Sequence, residues 1–135
     1  MIKKQTKKFA NALHLKDGDD HLFALANIQV YISEAQDGFF AQAMQVDYFA
    51  CGETLEDVQN RFTKGLIATR EGHLHRFGTI KNFLKWAPDD VRAEIRERMD
   101  SEQYDYTMIN TCHVEQADHP INIQYYREEP KRLQA

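Results

Sequence analysis

The chain has 135 residues, is 42% hydrophobic and 28% charged, and carries a formal net charge of −4. That length and apolar content suffice for one self-supporting domain and exclude a disordered polyelectrolyte or a disulfide-stapled miniprotein. The acidic balance excludes an overall basic footprint for nucleic acid.

The start carries Lys3, Lys4, Lys7 and Lys8 without a long apolar run behind them. It reads as a solvated arm, neither signal peptide nor membrane anchor. The segment from Phe9 to Leu15 is weakly apolar and its pattern leaves strand and helix turn open. Asp17, Gly18, Asp19 and Asp20 form a turn cluster that lacks the later ligand positions of a calcium loop. Residues 1–20 are therefore assigned to a flexible arm and turn, residues 21–128 to a single domain and residues 129–135 to a polar tail.

Ile28, Val30 and Ile32 alternate with Gln29 and Tyr31, the period of a half-buried strand spanning about residues 22–33. Asp37-Gly38 is a hairpin signal. A second strand is expected over about Phe39 to Val46 and a short third over Tyr48 to Cys51. Neither face of the second strand is cleanly polar, so cover on both sides is expected. Thr54 is placed to cap a helix, with Glu56 and Asp57 at its positive end. The helix is expected to run to about Arg70. Leu55, Val58, Phe62, Leu66 and Thr69 lie on one stripe, with Gln59, Arg61, Lys64 and Arg70 facing elsewhere.

A second helical stretch is expected from Thr79 to Met99. Ile80, Phe83, Leu84 and Trp86 form its first part, and Pro88 interrupts it. Asp89-Asp90 then cap a new helix with Val91, Ile95 and Met99 on one face and a heavily charged back. Tyr104 to Val114 and Ile121 to Tyr126 read as strands, joined through Asp118, His119 and Pro120. Tyr106, Met108, Asn110 and Cys112 are expected to share a face. The sum is an α+β fold: a small, largely antiparallel sheet packed by one main helix, with an additional helical segment and C-terminal strands.

Gly38, Phe39 and Ala41, followed by Gly52, Glu53, Thr54, Leu55 and Glu56, resemble the motifs of the HicB antitoxins of bacterial toxin–antitoxin pairs. The match covers roughly residues 28–70. Between its two halves, residues 43–49 lack the proline and glycine of that family's turn. The resemblance implies a core similar to part of the ribonuclease H fold. It also implies a function: a non-catalytic protein that covers the active site of a small basic toxin ribonuclease. Glu34, Asp37, Phe39, Phe40, Asp47 and Glu53 are the expected partner-binding residues. The alternative is a dimeric interaction or ligand-binding accessory protein that reuses the scaffold.

The resemblance also leads one to look for a C-terminal DNA-reading module. Two helices cannot be built from the nine residues after Tyr126, so no sequence-specific DNA binding is expected. The last strand, through Ile121, Ile123, Tyr125 and Tyr126, is instead expected to form a homodimer interface or to join the main sheet. For the exposed aromatics, an interface and a second layer from residues 80–99 remain equal alternatives.

Catalytic signatures are missing from the pattern. Six histidines occur without metal-ligand spacing, and Cys51 and Cys112 form no CxxC. Glu34, Asp37, Asp47 and Glu53 sit at strand ends and turns, where acids commonly serve solubility rather than two-metal chemistry. No enzyme activity, metal or cofactor is expected, and the reducing cytoplasm is the expected compartment.

Overall fold

The computed structural model describes the backbone of residues 12–17, 20–78, 87–114 and 121–131, and the side chains from residue 28 onward within those ranges apart from residue 114. The lysines of the N-terminal arm, the turn through Ile80, Phe83, Leu84 and Trp86, and the Asp118–Pro120 connection lie outside the described residues.

Among the described residues six strands form one sheet: β1 (Ala12–Asp17), β2 (Asp20–Ala35), β3 (Gly38–Ala43), β4 (Phe49–Gly52), β5 (Tyr104–Val114) and β6 (Ile121–Pro130). Two helices accompany them among the described residues, α1 (Leu55–Phe77) and α2 (Asp89–Asp100). The main path runs β4-β3-β2-β6-β5, and β1 pairs with the N-terminal half of β2. The architecture is α+β, as the pattern of elements predicts. The sheet is mixed, however: β2 and β6 are parallel and every other pairing is antiparallel. Among the described residues no helix is long and apolar enough to cross a membrane.

Three strand assignments differ from expectation. Ala12–Asp17, assigned above to the arm and turn, is a strand paired along its length with β2. β3 ends at Ala43, because the chain folds into a bend over residues 44–47. This bend needs no glycine or proline. Gln45 is buried and its Oε1 accepts the Gln29 N–H at 2.8 Å, while its Nε2 donates to Gln29 Oε1 at 3.0 Å. A side-chain amide pair thus replaces the ladder bonds that the bend gives up. At the other end, β6 runs through Glu129 and Pro130, residues expected in the tail.

Helix α1 begins as predicted. Thr54 Oγ1 accepts the Asp57 N–H at 3.0 Å, and Glu56 and Asp57 occupy the first turn. It runs almost two turns past Arg70 and stops at Gly78, whose φ of +69° is the left-handed conformation that glycine tolerates. The Gly78 N–H closes on the Leu74 carbonyl at 2.8 Å.

The buried stripe of α1 is Val58, Phe62, Leu66 and Arg70, a strict four-residue spacing. Thr69 is exposed and its hydroxyl bonds back to the Gly65 carbonyl at 2.7 Å, so it does not belong to the core. Arg70, expected to face elsewhere, is fully buried and pairs with Glu71 at 2.8 Å. Beneath the stripe lie Ile28, Val30 and Ile32 of β2, Ala41 and Ala43 of β3, and Ile121, Ile123 and Tyr125 of β6. Each large apolar side chain removed from water there is worth about 1.5–3 kcal/mol.

The last three of those residues correct the dimer expectation. Ile121, Ile123 and Tyr125 are 0% exposed, and β6 has a strand on each side. They belong to the protomer's own core. Tyr126 points to the opposite face and stacks on Tyr31 at 5.4 Å. The strands at the ends of the path are β4 and β5.

A bulge in β5 also alters the expected face pattern. Met108 pairs with Tyr126 and Asn110 with Tyr125, leaving Ile109 as an extra residue. Tyr106 and Met108 therefore lie on the Tyr126 face, whereas Asn110 and Cys112 lie on the α1 face. The Asn110 amide reaches Gln59 Oε1 of α1 at 3.0 Å.

Helix α2 covers the other face. Pro88 occupies its cap position with no side-chain capping bond; Asp89 and Asp90 fall in the first turn, and Asp89 pairs with Arg92. Val91 and Ile95 are half-buried and Met99 is exposed, so α2 contributes no fully buried residue. Val91, Ile95 and Arg98 of α2 line a cleft with Tyr31, Phe40 and Tyr106, so part of the second face is covered by the chain itself, while Phe49 and Met108 on that face stay exposed.

Candidate functional site

One end of the sheet gathers the C-termini of β2, β4 and β6 with the N-termini of β3, β5 and α1. This follows from the register: Ala35 pairs with Gly38, Phe39 with Gly52 and Tyr104 with Pro130. Two glycines bring the pieces close. A Cβ on Gly52 would stand 2.5 Å from the Val58 nitrogen, and one on Gly38, where φ is +157°, would stand 2.3 Å from the Gly52 carbonyl oxygen. Any larger residue at either place would separate the hairpin from the helix start.

Of the predicted partner-binding residues, Glu34, Asp37 and Glu53 sit at this end and are exposed. Asp105 and Glu129, not singled out from the sequence, join them as a directly opposed strand pair. The register of two distant strands places them there, which no local motif could reveal. Five carboxylates are offset by two cations. Arg127 lies 3.7 Å from Glu34 and 3.6 Å from Glu129, and Lys131 lies 3.8 Å from Asp105. Phe39 supports this end from the α1 side, with the Arg127 guanidinium 5.8 Å above its ring.

The other two predicted residues lie elsewhere. Asp47 is in the bend at the far end of β3. Phe40 points to the opposite face from Phe39, and its ring stands 5.6 Å from that of exposed Phe49.

That opposite face carries a second cluster. Tyr31 is stacked by Tyr126 and met edge-on by Tyr106 at 5.9 Å. Beside them Glu128 is only 7% exposed, with Arg98 Nη1 of α2 3.4 Å from its carboxylate. Burial, with the Glu128 charge adding, pushes the Tyr106 phenol up to about 12. The phenol therefore stays neutral and able to donate to that carboxylate. Between α2 and the sheet runs a cleft of about 210 Å³.

A shallower groove of about 650 Å³ separates α1 from β5, with Gln59, Thr63, Asn110 and Tyr125 in its lining. Those four are engaged with one another: Asn110 donates to Gln59, and Thr63 and the Gln59 carbonyl both bond to the Tyr125 hydroxyl. Among the described residues no three histidine, cysteine, aspartate or glutamate side chains come together to hold a metal ion. Cys51 is exposed on β4 and Cys112 is half-buried against the core, so the two thiols stand on different strands at opposite ends of the sheet path.

Comparison of the chain with protein-family models, with curated proteins and with solved structures finds no match.

Proposed function

We propose that this chain is a non-catalytic binding protein of the HicB antitoxin type, which neutralises a small basic ribonuclease by docking over its active site. The observation that carries this reading is the acidic end of the sheet, where Glu34, Glu129 and Asp105 pair with Arg127 and Lys131 and exposed Asp37 and Glu53 add further negative charge. An excess of carboxylates on one rigid surface steers a basic partner into contact and fixes its orientation. The run of three antiparallel strands into a Thr-capped helix, which bears the residues resembling the family, also supports it. Inhibition is then steric and electrostatic. No DNA-reading role is assigned, and two free thiols suit the reducing cytoplasm.

A specific observation favours the second reading, an accessory interaction protein that reuses the scaffold. The bend at residues 44–47 is locked by Gln29 and Gln45 instead of a proline-glycine turn, which changes the surface beside Asp47.

Purification from the native host followed by mass spectrometry identifies the partner. For a small basic protein, Glu34→Lys with Asp37→Lys is expected to slow association, and added salt to slow the wild type toward the same rate. A partner whose binding ignores both changes would remove the docking role of this end.

A further inference from the structure

We propose that the cleft between α2 and the sheet is an anchor pocket for one cationic side chain, arginine or lysine, projected by a basic partner. The inference rests on the reading of a basic partner given above and names a second place where that partner is gripped.

The size of the cleft selects one side chain. Its volume of about 210 Å³ falls below the roughly 300–1,000 Å³ of whole small-molecule sites. Its walls suit a long aliphatic stem: Phe40 lies on the sheet side, and Val91 and Ile95 lie on the helix side. All three are only half-buried, so apolar surface remains to be covered.

Its charge suits a cation. Glu94 stands in the lining of the cleft with its side chain 66% exposed, and Glu128 is a buried carboxylate in the same lining. Among the described residues of the lining the one cation is Arg98, shared between them, 3.6 Å from Glu94 and 3.4 Å from Glu128. Two carboxylates and one guanidinium leave a negative charge over. The half-buried Phe40 ring stands in the same lining, and an aromatic ring attracts a cation held over it. A neutral apolar side chain would fill the same space and leave that charge unmatched.

The test uses the intact protein and N-acetyl-arginine amide, with the lysine analogue as a second cation and N-acetyl-norleucine amide as an uncharged stem. Methyl resonances of Val91 and Ile95 report on the cleft. Saturable shifts in the millimolar range with both cations, and much smaller ones with norleucine amide, are expected. Glu94→Gln, an exposed substitution that leaves the fold intact, is expected to weaken arginine amide roughly threefold or more. The proposal is overturned by non-saturating shifts, by equal shifts with norleucine amide, or by a Glu94→Gln protein that binds as wild type does. If the cleft stays silent while Glu34→Lys with Asp37→Lys still weakens the native partner, the pocket fails and the docking end stands. A cleft that binds the cations beside a docking end indifferent to charge reversal gives the converse.

Discussion

The hydroxyl of Tyr125 bonds to the main-chain carbonyl of Gln59 at 3.1 Å, tying the middle of β6 to the second turn of α1. A phenol has one proton, so when it donates to that carbonyl the Thr63 hydroxyl must donate to the phenol oxygen in turn. Tyr125→Phe removes both bonds while keeping the ring against Phe62. The expected cost is about 1–2 kcal/mol in urea titration, and Thr63→Val in the same background should add less than it does alone.

Alkaline pH should probe buried phenols on both faces of the sheet. Burial raises the phenols of Tyr31, Tyr106 and Tyr125 above the ordinary value. Each folded pKa then exceeds the unfolded one of about 10. The stability this provides is complete below about pH 10 and is lost as pH climbs through the folded values. The urea midpoint should hold steady from about pH 8 to 9.5 and fall beyond about 10. Tyrosinate absorbance should show these three phenols ionising late. A midpoint that rises above pH 10 would contradict the burial.

Leu66 tests the roof of the core. It is 0% exposed and stands between Phe62 and Arg70 on the buried stripe. Leu66→Ala should cost about 2–5 kcal/mol, and a loss under about half a kcal/mol, within the range of surface substitutions, would mean that this face of α1 does not pack on the sheet.

Gly65 gives a sharper test because two principles oppose each other. Alanine is about 1 kcal/mol better than glycine inside a helix. Here, though, a Cβ would lie 1.9 Å from the Tyr48 hydroxyl oxygen and 3.0 Å from the ring carbon that bears it. Tyr48 cannot yield freely, since its ring meets Phe62 edge-on at 5.1 Å. Gly65→Ala should therefore destabilise by about 1–3 kcal/mol. Tyr48→Phe should recover part of the loss, and a double-mutant cycle between the two measures the clash directly.

These positions show which parts of the fold are written locally. The Thr54 cap was legible because hydroxyl, amide and acidic first turn lie within four residues. The stripe of α1 was legible as a period, yet chemistry misdirected its last member: Arg70 follows Leu66 at the same spacing as Leu66 follows Phe62, but its charge argued for solvent. The helix runs through Gly72, just past the expected end near Arg70, and stops only at Gly78. The Ile109 bulge carries no glycine or proline and left no mark in the pattern. Glu34, Asp37 and Glu53 were visible one by one. Their convergence with Asp105 and Glu129 depends on the pairing of β5, β6 and β2, strands brought together from distant parts of the chain.

The parallel seating of β6 against β2 has a consequence for assembly. A segment beginning at Ile121 occupies the middle of the sheet, and β5 joins it only through that segment. The meander of β1 to β4 can form early, but it must keep one hydrogen-bonding edge vacant until the final ladder arrives. Loop closure over such a separation is slow. During synthesis that waiting edge is the surface a chaperone would guard, and a chain shortened before Ile121 would leave it open.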